Sequence, residues 1–521
     1  MNVKILVFLQ APLITLGKSH ISSSADVRDF FCRLISRLEC CGYHLEGGTY
    51  VGKLFTRTTL VFSRPVENFQ VPFEAQLSRY DEHITCVAVR GRNVLQLPLP
   101  VHGTGGEKGL DAETLVEKFS PVPWIRKEFC SQIESENVAD NYVEIIFQST
   151  PFTTTKFEEM ITAKRLFLGL IRHYYSKDYQ LCVPLSLKGN AKNDTFFFRK
   201  MYCKEKIPPK NFFLVSMEAR NCLRLFECPN DAAHTIELCF ESGKIKQIKP
   251  SYMGCLELLL ANNPFYNSPS QLVETQLLMI EMVRKLWSIG WKCTGTLQIS
   301  QTINDKATIV FETEDEEDDQ SLPEPTSPAP NIQVKLQPNQ HHLFGIATSR
   351  MDLIRVFNSQ PPNLKTILRE IILNQWEKGI QEEVPFEGGH TFKLKGRPWA
   401  SRDVGLESAK AQHLLLYICE QMERLGWRLL CSLDCGSKIN DDDEFHLYCE
   451  DGELMIFHYA PCSPAFHGNK IEEVFKVEEN NQPVNQLSLK NDSVAKNRQQ
   501  KQQLAEGHPN EELSSPKLDE T

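Results

Sequence analysis

The glycines of Gly103-Thr-Gly-Gly-Glu-Lys-Gly109 come nearest in this chain to a phosphate-cradling loop. Such a loop aims backbone N–H groups at a phosphate, adds a Lys, and places a Ser or Thr hydroxyl on Mg²⁺. Here Lys108 is followed by Gly109, so the hydroxyl is missing and the cradle is incomplete. Asp441, Asp442 and Asp443 offer three carboxylates for a cation. They lack the interleaved oxygens, the glycine and the closing glutamate of a calcium loop, and a hairpin turn accounts for them equally well. His341 and His342 border an acidic stretch, while His446 and His458 lie in strand-like runs that read as satisfied or exposed histidines.

Metal chemistry finds no better footing. Structural zinc usually needs two close ligand pairs. No C-x2-C pair occurs, and Cys431 and Cys435 are separated by Ser-Leu-Asp, with Cys431, Leu433 and Cys435 alternating as one face of a strand. G-x-S-x-G, H-E-x-x-H and the kinase signatures are absent. No catalytic, cofactor-binding or metal-ligating residue is therefore assigned, and no cofactor is expected.

The residues that do recur are structural. Phe8-Leu-Gln-Ala-Pro12-Leu13, Ile146-Phe-Gln-Ser-Thr-Pro151-Phe152, Leu260-Ala-Asn-Asn-Pro264-Phe265 and Leu394-Lys-Gly-Arg-Pro398-Trp399 share one shape: a strand-like run, a polar turn, then Pro and a large apolar residue. An aromatic follows each Pro at a similar interval, at Tyr43, Tyr179, Trp291 and Trp427. Between them the apolar stripe has helical spacing, as in Val27, Phe31, Leu34 and Leu38 or Leu414, Ile418, Met422 and Leu425. Thr155 with Glu158 has the form of a capping box, and Gly42, Gly290 and Gly426 stand where a helix C-terminal cap belongs. The aromatics read as core plugs where a helix returns to its sheet.

Two hairpins follow each aromatic. The first pairs a strand at the aromatic with Thr59–Phe62, Thr195–Phe198, Thr308–Phe311 or Phe445–Tyr448, turning at Asn193-Asp194, Asn304-Asp305 or Asn440 to Asp443. The second joins Ile84–Val89 to Val94–Leu97, Phe212–Met217 to Leu223–Phe226, and Leu343–Ala347 to Leu353–Phe357. A helix closes the unit, clearest from Leu364 to Trp376. The expected fold is α+β: a tandem repeat of about four diverged modules, each strand, helix, four strands, helix, with a mainly antiparallel sheet covered by helices. The modules are placed at 1–140, 141–254, 255–388 and 389–476, the last truncated after Tyr459.

Two stretches fall outside this pattern. The acidic and Pro-rich run 312–340 interrupts the third module, and 477–521 forms a polar tail; dense like charge cannot pack a core, so both are expected to be disordered. Ser327-Pro328 and Ser515-Pro516 in them are candidate phosphorylation positions.

Composition sets the class. A chain of 521 residues exceeds one hydrophobic core. A net charge of -10, with no basic tract denser than Arg33 and Arg37 on one helix, argues against nucleic acid. Seventeen cysteines scattered through apolar runs suit buried thiols in a reducing compartment. Met1 to Leu16 looks at first like a short signal peptide, but its repeat partner shapes make Met1 the start of a structural strand. No apolar run is long enough for a membrane span, and the expected location is the cytoplasm, with the nucleus as an alternative.

Among recurring polar residues, Arg224 and Arg355 share a position two before the closing Phe, where the first copy has Gln96. What repeats is architecture, which tandem arrays use to display surface to partners. The expected function is a non-enzymatic scaffold or adaptor for protein partners; the alternatives are a lipid or small apolar ligand module in peripheral contact with membranes and, third in order, an enzyme with an unfamiliar site at a module interface. The cadence of helix, Gly-Trp and strand at Gly290-Trp291 and Gly426-Trp427 is similar to that of raftlins, membrane-raft adaptors. Raftlins carry acylatable Gly and Cys directly after Met, where this chain has Asn2 and Val3.

Overall fold

The computed structural model describes residues 2–8, 24–40, 43–51, 57–65, 84–99, 112–139, 142–154, 156–185, 195–201, 207–240, 244–265, 269–299, 305–313, 342–358, 364–399, 406–435 and 453–460. All lie in one compact unit, residues 1–461. The acidic run beyond Thr313, the tail, Ser327, Ser515, Gly103 to Gly109 and Asp441 to Asp443 lie outside the described residues.

The fold is α+β, built on antiparallel sheets. Three have six strands each. In the first, β4 (Ile84–Arg90) and β5 (Val94–Pro98) form a hairpin, α2 (Ala112–Phe119) and α3 (Val122–Phe129) follow, and β6 (Ile133–Val138) with β7 (Tyr142–Phe147) make a second hairpin. Then α4 (Phe157–Ser176) leads to β8 (Tyr179–Leu185) and β9 (Thr195–Lys200). Across the sheet the order is β6-β7-β5-β4-β9-β8.

The second sheet repeats the scheme with β10 (Phe212–Glu218), β11 (Cys222–Phe226), α5 (Asn230–Cys239), β12 (Ile245–Pro250), β13 (Leu256–Leu260), α6 (Pro269–Ser288), β14 (Trp291–Leu297) and β15 (Asp305–Thr313). The third uses β16 (Leu343–Ser349), β17 (Leu353–Phe357), α7 (Leu364–Gln375), β18 (Ile380–Phe386), β19 (Gly389–Leu394), α8 (Leu406–Arg424), β20 (Trp427–Asp434) and β21 (Glu453–Tyr459). Their strand orders match the first position by position. A smaller sheet, β1-β3-β2, combines β1 (Asn2–Phe8), β2 (His44–Val51) and β3 (Arg57–Pro65), with α1 (Ser24–Cys40) between β1 and β2.

Several sequence expectations take a different form here. Each six-stranded sheet starts at a hairpin and straddles a boundary drawn from the Pro-to-aromatic pattern: 84–200 spans 140/141, 212–313 spans 254/255, and 343–459 spans 388/389. The two hairpins after an aromatic belong to different sheets, because the second opens the next one. The unit also contains an outer strand, β6, β12 or β18, absent from the strand-helix-four strands-helix scheme. In the last sheet the partner of β20 is Glu453–Tyr459, not Phe445–Tyr448, which lies outside the described residues. Glu312 and Thr313 belong to β15, where Glu312 is buried against Lys210 at 2.9 Å, so ordered structure runs two residues into the acidic stretch. The first turn of α4 is entered through Lys156 without a side-chain cap, and Thr155 of the expected capping box lies outside the described residues.

Local chemistry explains the ends of these elements. Gly290 and Gly426 leave their helices at φ 87° and 85°, the left-handed region where a Cβ is costly. The corresponding exit from α4 is made by Asp178 at φ 66°, a conformation Asp tolerates better than most residues. Each strand that follows carries a one-residue bulge three positions after its aromatic, at Glu46, Cys182, Thr294 and Leu430. The outer strands bulge at their second residue, Glu134, Lys246 and Gln381.

The helices before the aromatics lie between two sheets, and α4, α6 and α8 are buried on most sides for that reason. Leu166, Leu170 and Phe167 of α4 share a core with Val87 and Phe198 of one sheet and Leu214 and Val310 of the next. Ile280 and Val283 of α6 likewise join Phe213 and Ile309 to Leu343 and Leu454. Where α6 approaches β16, a Cβ on Gly345 would stand 2.6 Å from Ile280 Cδ1, so the strand gives up a side chain to admit the helix. In the same manner α1 touches β4, α4 touches β10, and α8 touches β1 and β2. Strands β2, β8, β14 and β20 meet in turn, β20 returning to β2, so contacts within 1–461 close into a cycle.

Near the end of α4, burial holds the His173 imidazole down to about 4, with Lys177 adding repulsion. Its Nε2 has no hydrogen-bond partner among the described residues. The folded value lies below the unfolded one of about 6.5, so folding favours the neutral ring. That contribution is complete above pH 6.5 and is lost as the pH falls toward 4. Allowing for solvent at the ring, it is on the order of 1 kcal/mol. Urea midpoints of the wild type should fall relative to His173→Phe between pH 6.5 and 4; parallel curves would refute the assignment.

Candidate functional site

Lys164 is the most completely buried cation among the described residues, with 1% of its side chain exposed. It lies on α4 and crosses to the neighbouring sheet, where its Nζ is 2.7 Å from Glu218 Oε1 and 2.5 Å from Ser216 Oγ, both on β10. Ser216 Oγ is 3.1 Å from Thr308 Oγ1 on β15. Arg224 on β11 forms an ion pair with Glu218, approaches Glu257 Oε2 on β13 at 3.5 Å, and places its guanidinium 3.8 Å over the Phe157 ring. Lys249 on β12 completes the row at 3.2 Å from Glu257. Burial lowers the Arg224 pKa, and Glu257 opposes that shift.

This seam follows a register line across the sheet: Thr308, Ser216, Arg224, Glu257, Lys249. The first six-stranded sheet has Thr195, Ala88, Gln96, Glu144 and Asn137 on the matching line. There Arg28 of α1 supplies the cation, donating to Thr195 Oγ1 at 3.3 Å and to Gln96, which donates in turn to Glu144 at 3.4 Å. In the third sheet the line reads Leu454, Ala347, Arg355, Thr391 and Val384. The matching helix residue is Gln276, whose amide atoms are buried without a partner among the described residues. Gln412 holds the same place on α8 and is also buried. Arg28, Lys164, Gln276 and Gln412 each stand fifteen residues before their aromatic. A polar position thus recurs in register, which the sequence pattern of hydrophobic, glycine and turn residues concealed.

Chemically this is a lock between helix and sheet. Each charge faces an opposite one, but three cations share two carboxylates, and Glu218 Oε2 and Arg224 Nε are buried without a hydrogen-bond partner among the described residues. A buried pair of this kind stabilises only as far as its hydrogen bonds are complete.

The other sequence candidates are dispersed. Trp291 and Trp427 are buried edge-on against Phe213 and Phe344, with centroids 4.9 and 4.8 Å apart. Those phenylalanines stack on Phe311 and Phe457. Tyr43 and Tyr179 are half-buried. Cys431 and Cys435 are buried; Cys431 is hydrogen-bonded to Cys293, and burial raises its pKa further. Twelve of the described cysteines, Cys431 and Cys435 among them, are unbridged. His342 precedes β16, His458 lies on β21 beside Trp287, and His341 and His446 fall outside the described residues. No three His, Cys, Asp or Glu side chains converge as a metal site among the described residues, and no described helix is long and apolar enough to cross a membrane.

The exposed feature common to the sheets is the outer edge. Among the described residues, β6, β12 and β18 each pair on one side only. Each carries an exposed aliphatic: Val138, Ile248 or Val384.

One domain-family model matches the chain twice, at residues 211–312 and 342–449. The matches begin one residue before β10 and β16, in phase with the sheets. No curated protein matches the chain. No solved structure does either.

Proposed function

We propose that the chain is a non-enzymatic cytoplasmic scaffold or adaptor, built from four copies of one module and binding protein partners through the outer edges of its sheets. The copies correspond to 2–65, 84–200, 212–313 and 343–459. Recurrence of the inner bulge and of the buried helix residue in all four supports this count. One observation carries the functional reading: three parallel positions in the architecture end in an edge strand whose N–H and C=O groups face outward beside an exposed aliphatic. Such edges accept an extended segment of another chain.

The test combines Val138→Lys, Ile248→Lys and Val384→Lys in the full chain. Affinity capture with the wild type should return a stoichiometric protein partner, and the triple variant, with an unchanged melting temperature, should lose it. Retention of that partner by the triple variant would remove the edges from the proposal. Co-purified lipid in native mass spectrometry, without a protein partner, would move the function to the lipid-binding alternative.

A further inference from the structure

The three outer edges are not equivalent. Aligned by register, Glu136 of β6, Ile248 of β12 and Glu383 of β18 occupy one position, opposite Ile145, Leu258 and Phe392. On two edges the glutamate is clamped by an arginine from the covering helix: Arg126 Nη2 lies 2.8 Å from Glu136, and Arg369 Nε donates to Glu383 at 2.7 Å. On β12 the clamp is gone. Ile248 stands 43% exposed, and Tyr252 and Met253 just beyond Pro250 are 42% and 38% exposed.

The charge changes sign as well. β6 carries Glu134 and Glu136, and β18 carries Glu382 and Glu383, whereas β12 reads Ile-Lys-Gln-Ile-Lys-Pro with no acid. Lys249 is held by Glu257, but Lys246 is exposed and has no ion-pair partner among the described residues. Lysines and proline commonly guard an edge against uncontrolled pairing. That accounts for Lys246 and Pro250. It does not account for an aliphatic placed where the other edges have a bridged carboxylate.

We propose that β12 is the docking edge for an extended partner segment that alternates acidic and apolar residues. An added strand presents alternate side chains to opposite faces. One set would lie beside Ile248, and the other beside Lys249, with Lys246 at the bulge near the strand start. Main-chain hydrogen bonds supply affinity, and the lysines select the charge. This rests on the edge-docking reading above and narrows it to one strand and one chemistry.

The probe is a fluorescein-labelled peptide of alternating Glu and Val, titrated into the full chain and followed by anisotropy, with a Lys–Val peptide as control. The Glu–Val peptide should bind, and binding should weaken with added salt. Ile248→Glu and Lys246→Glu should each weaken it about tenfold, while Val138→Lys and Val384→Lys leave it unchanged. Both positions on β12 are exposed, so melting temperatures should not move. As a check independent of stability, Lys246→Glu should gain affinity for the Lys–Val peptide. Equal binding of both peptides, no binding of the Glu–Val peptide, or indifference to Ile248→Glu would overturn the proposal. If the triple variant still loses its captured partner in that case, edge docking survives and the assignment to β12 falls.

Discussion

Lys164→Ala should lower the free energy of unfolding by about 3 kcal/mol, the lower end of the cost of breaking a buried ion pair. The loss is not that of an ordinary salt bridge. Removing the ammonium leaves Glu218 inside with Arg224 as its remaining counter-charge, and strips Ser216 of its charged neighbour. Pairing Lys164→Met with Glu218→Gln should restore a substantial part, because the second change withdraws the uncompensated charge. Urea denaturation at constant m-value reads the difference. A loss under about 1 kcal/mol for Lys164→Ala would show that the seam is hydrated and contributes little.

Trp427→Ala should cost about 3–5 kcal/mol, as large-to-small changes in a packed core do. Its indole is buried edge-on against Phe344, which stacks on Phe457 at 5.0 Å. Deleting it removes one wall from the core that α8 shares with its sheet. Trp427→Phe keeps a ring in that place and should retain more than half of the lost stability. The near-ultraviolet circular dichroism of Trp427→Ala should weaken along with its urea midpoint. A midpoint equal to that of the wild type would contradict the role of the aromatic as a core plug.

Much of the architecture was readable because its punctuation is local. Pro, a helical stripe, Gly and an aromatic lie within one segment, and Trp291 and Trp427 are buried as that pattern implies. The phase was harder, since a repeating string has no marked origin; only strand pairing shows that Phe212–Glu218 opens a sheet rather than extending the previous one. The outer strands were invisible for a different reason. Ile-Glu-Ser-Glu-Asn-Val and Ile-Lys-Gln-Ile-Lys-Pro are polar because one side of the strand faces water, so neither apolar alternation nor a turn dipeptide marks them.

The polar seam was hidden by its own geometry. Arg28, Lys164, Gln276 and Gln412 resemble the solvated side of an amphipathic helix, since the sheet packed on that side belongs to another unit, the next along the chain for the first three and the β1-β3-β2 sheet for α8. The interval of fifteen residues to the aromatic was available and would have exposed the position. The contrast between Ile248 and its glutamate counterparts required the strand registers, which no spacing reveals.

The return of α8 and β20 to β1 and β2 has a consequence for cooperativity. Linear repeat proteins fray from their ends, because a terminal repeat has one neighbour and needs a cap. Here every sheet is flanked on both sides, so loss of any one uncovers two others, and amide exchange in β2 and β20 should respond together to a change in either. Stability then belongs to the closed circuit of sheets and not to any one of them.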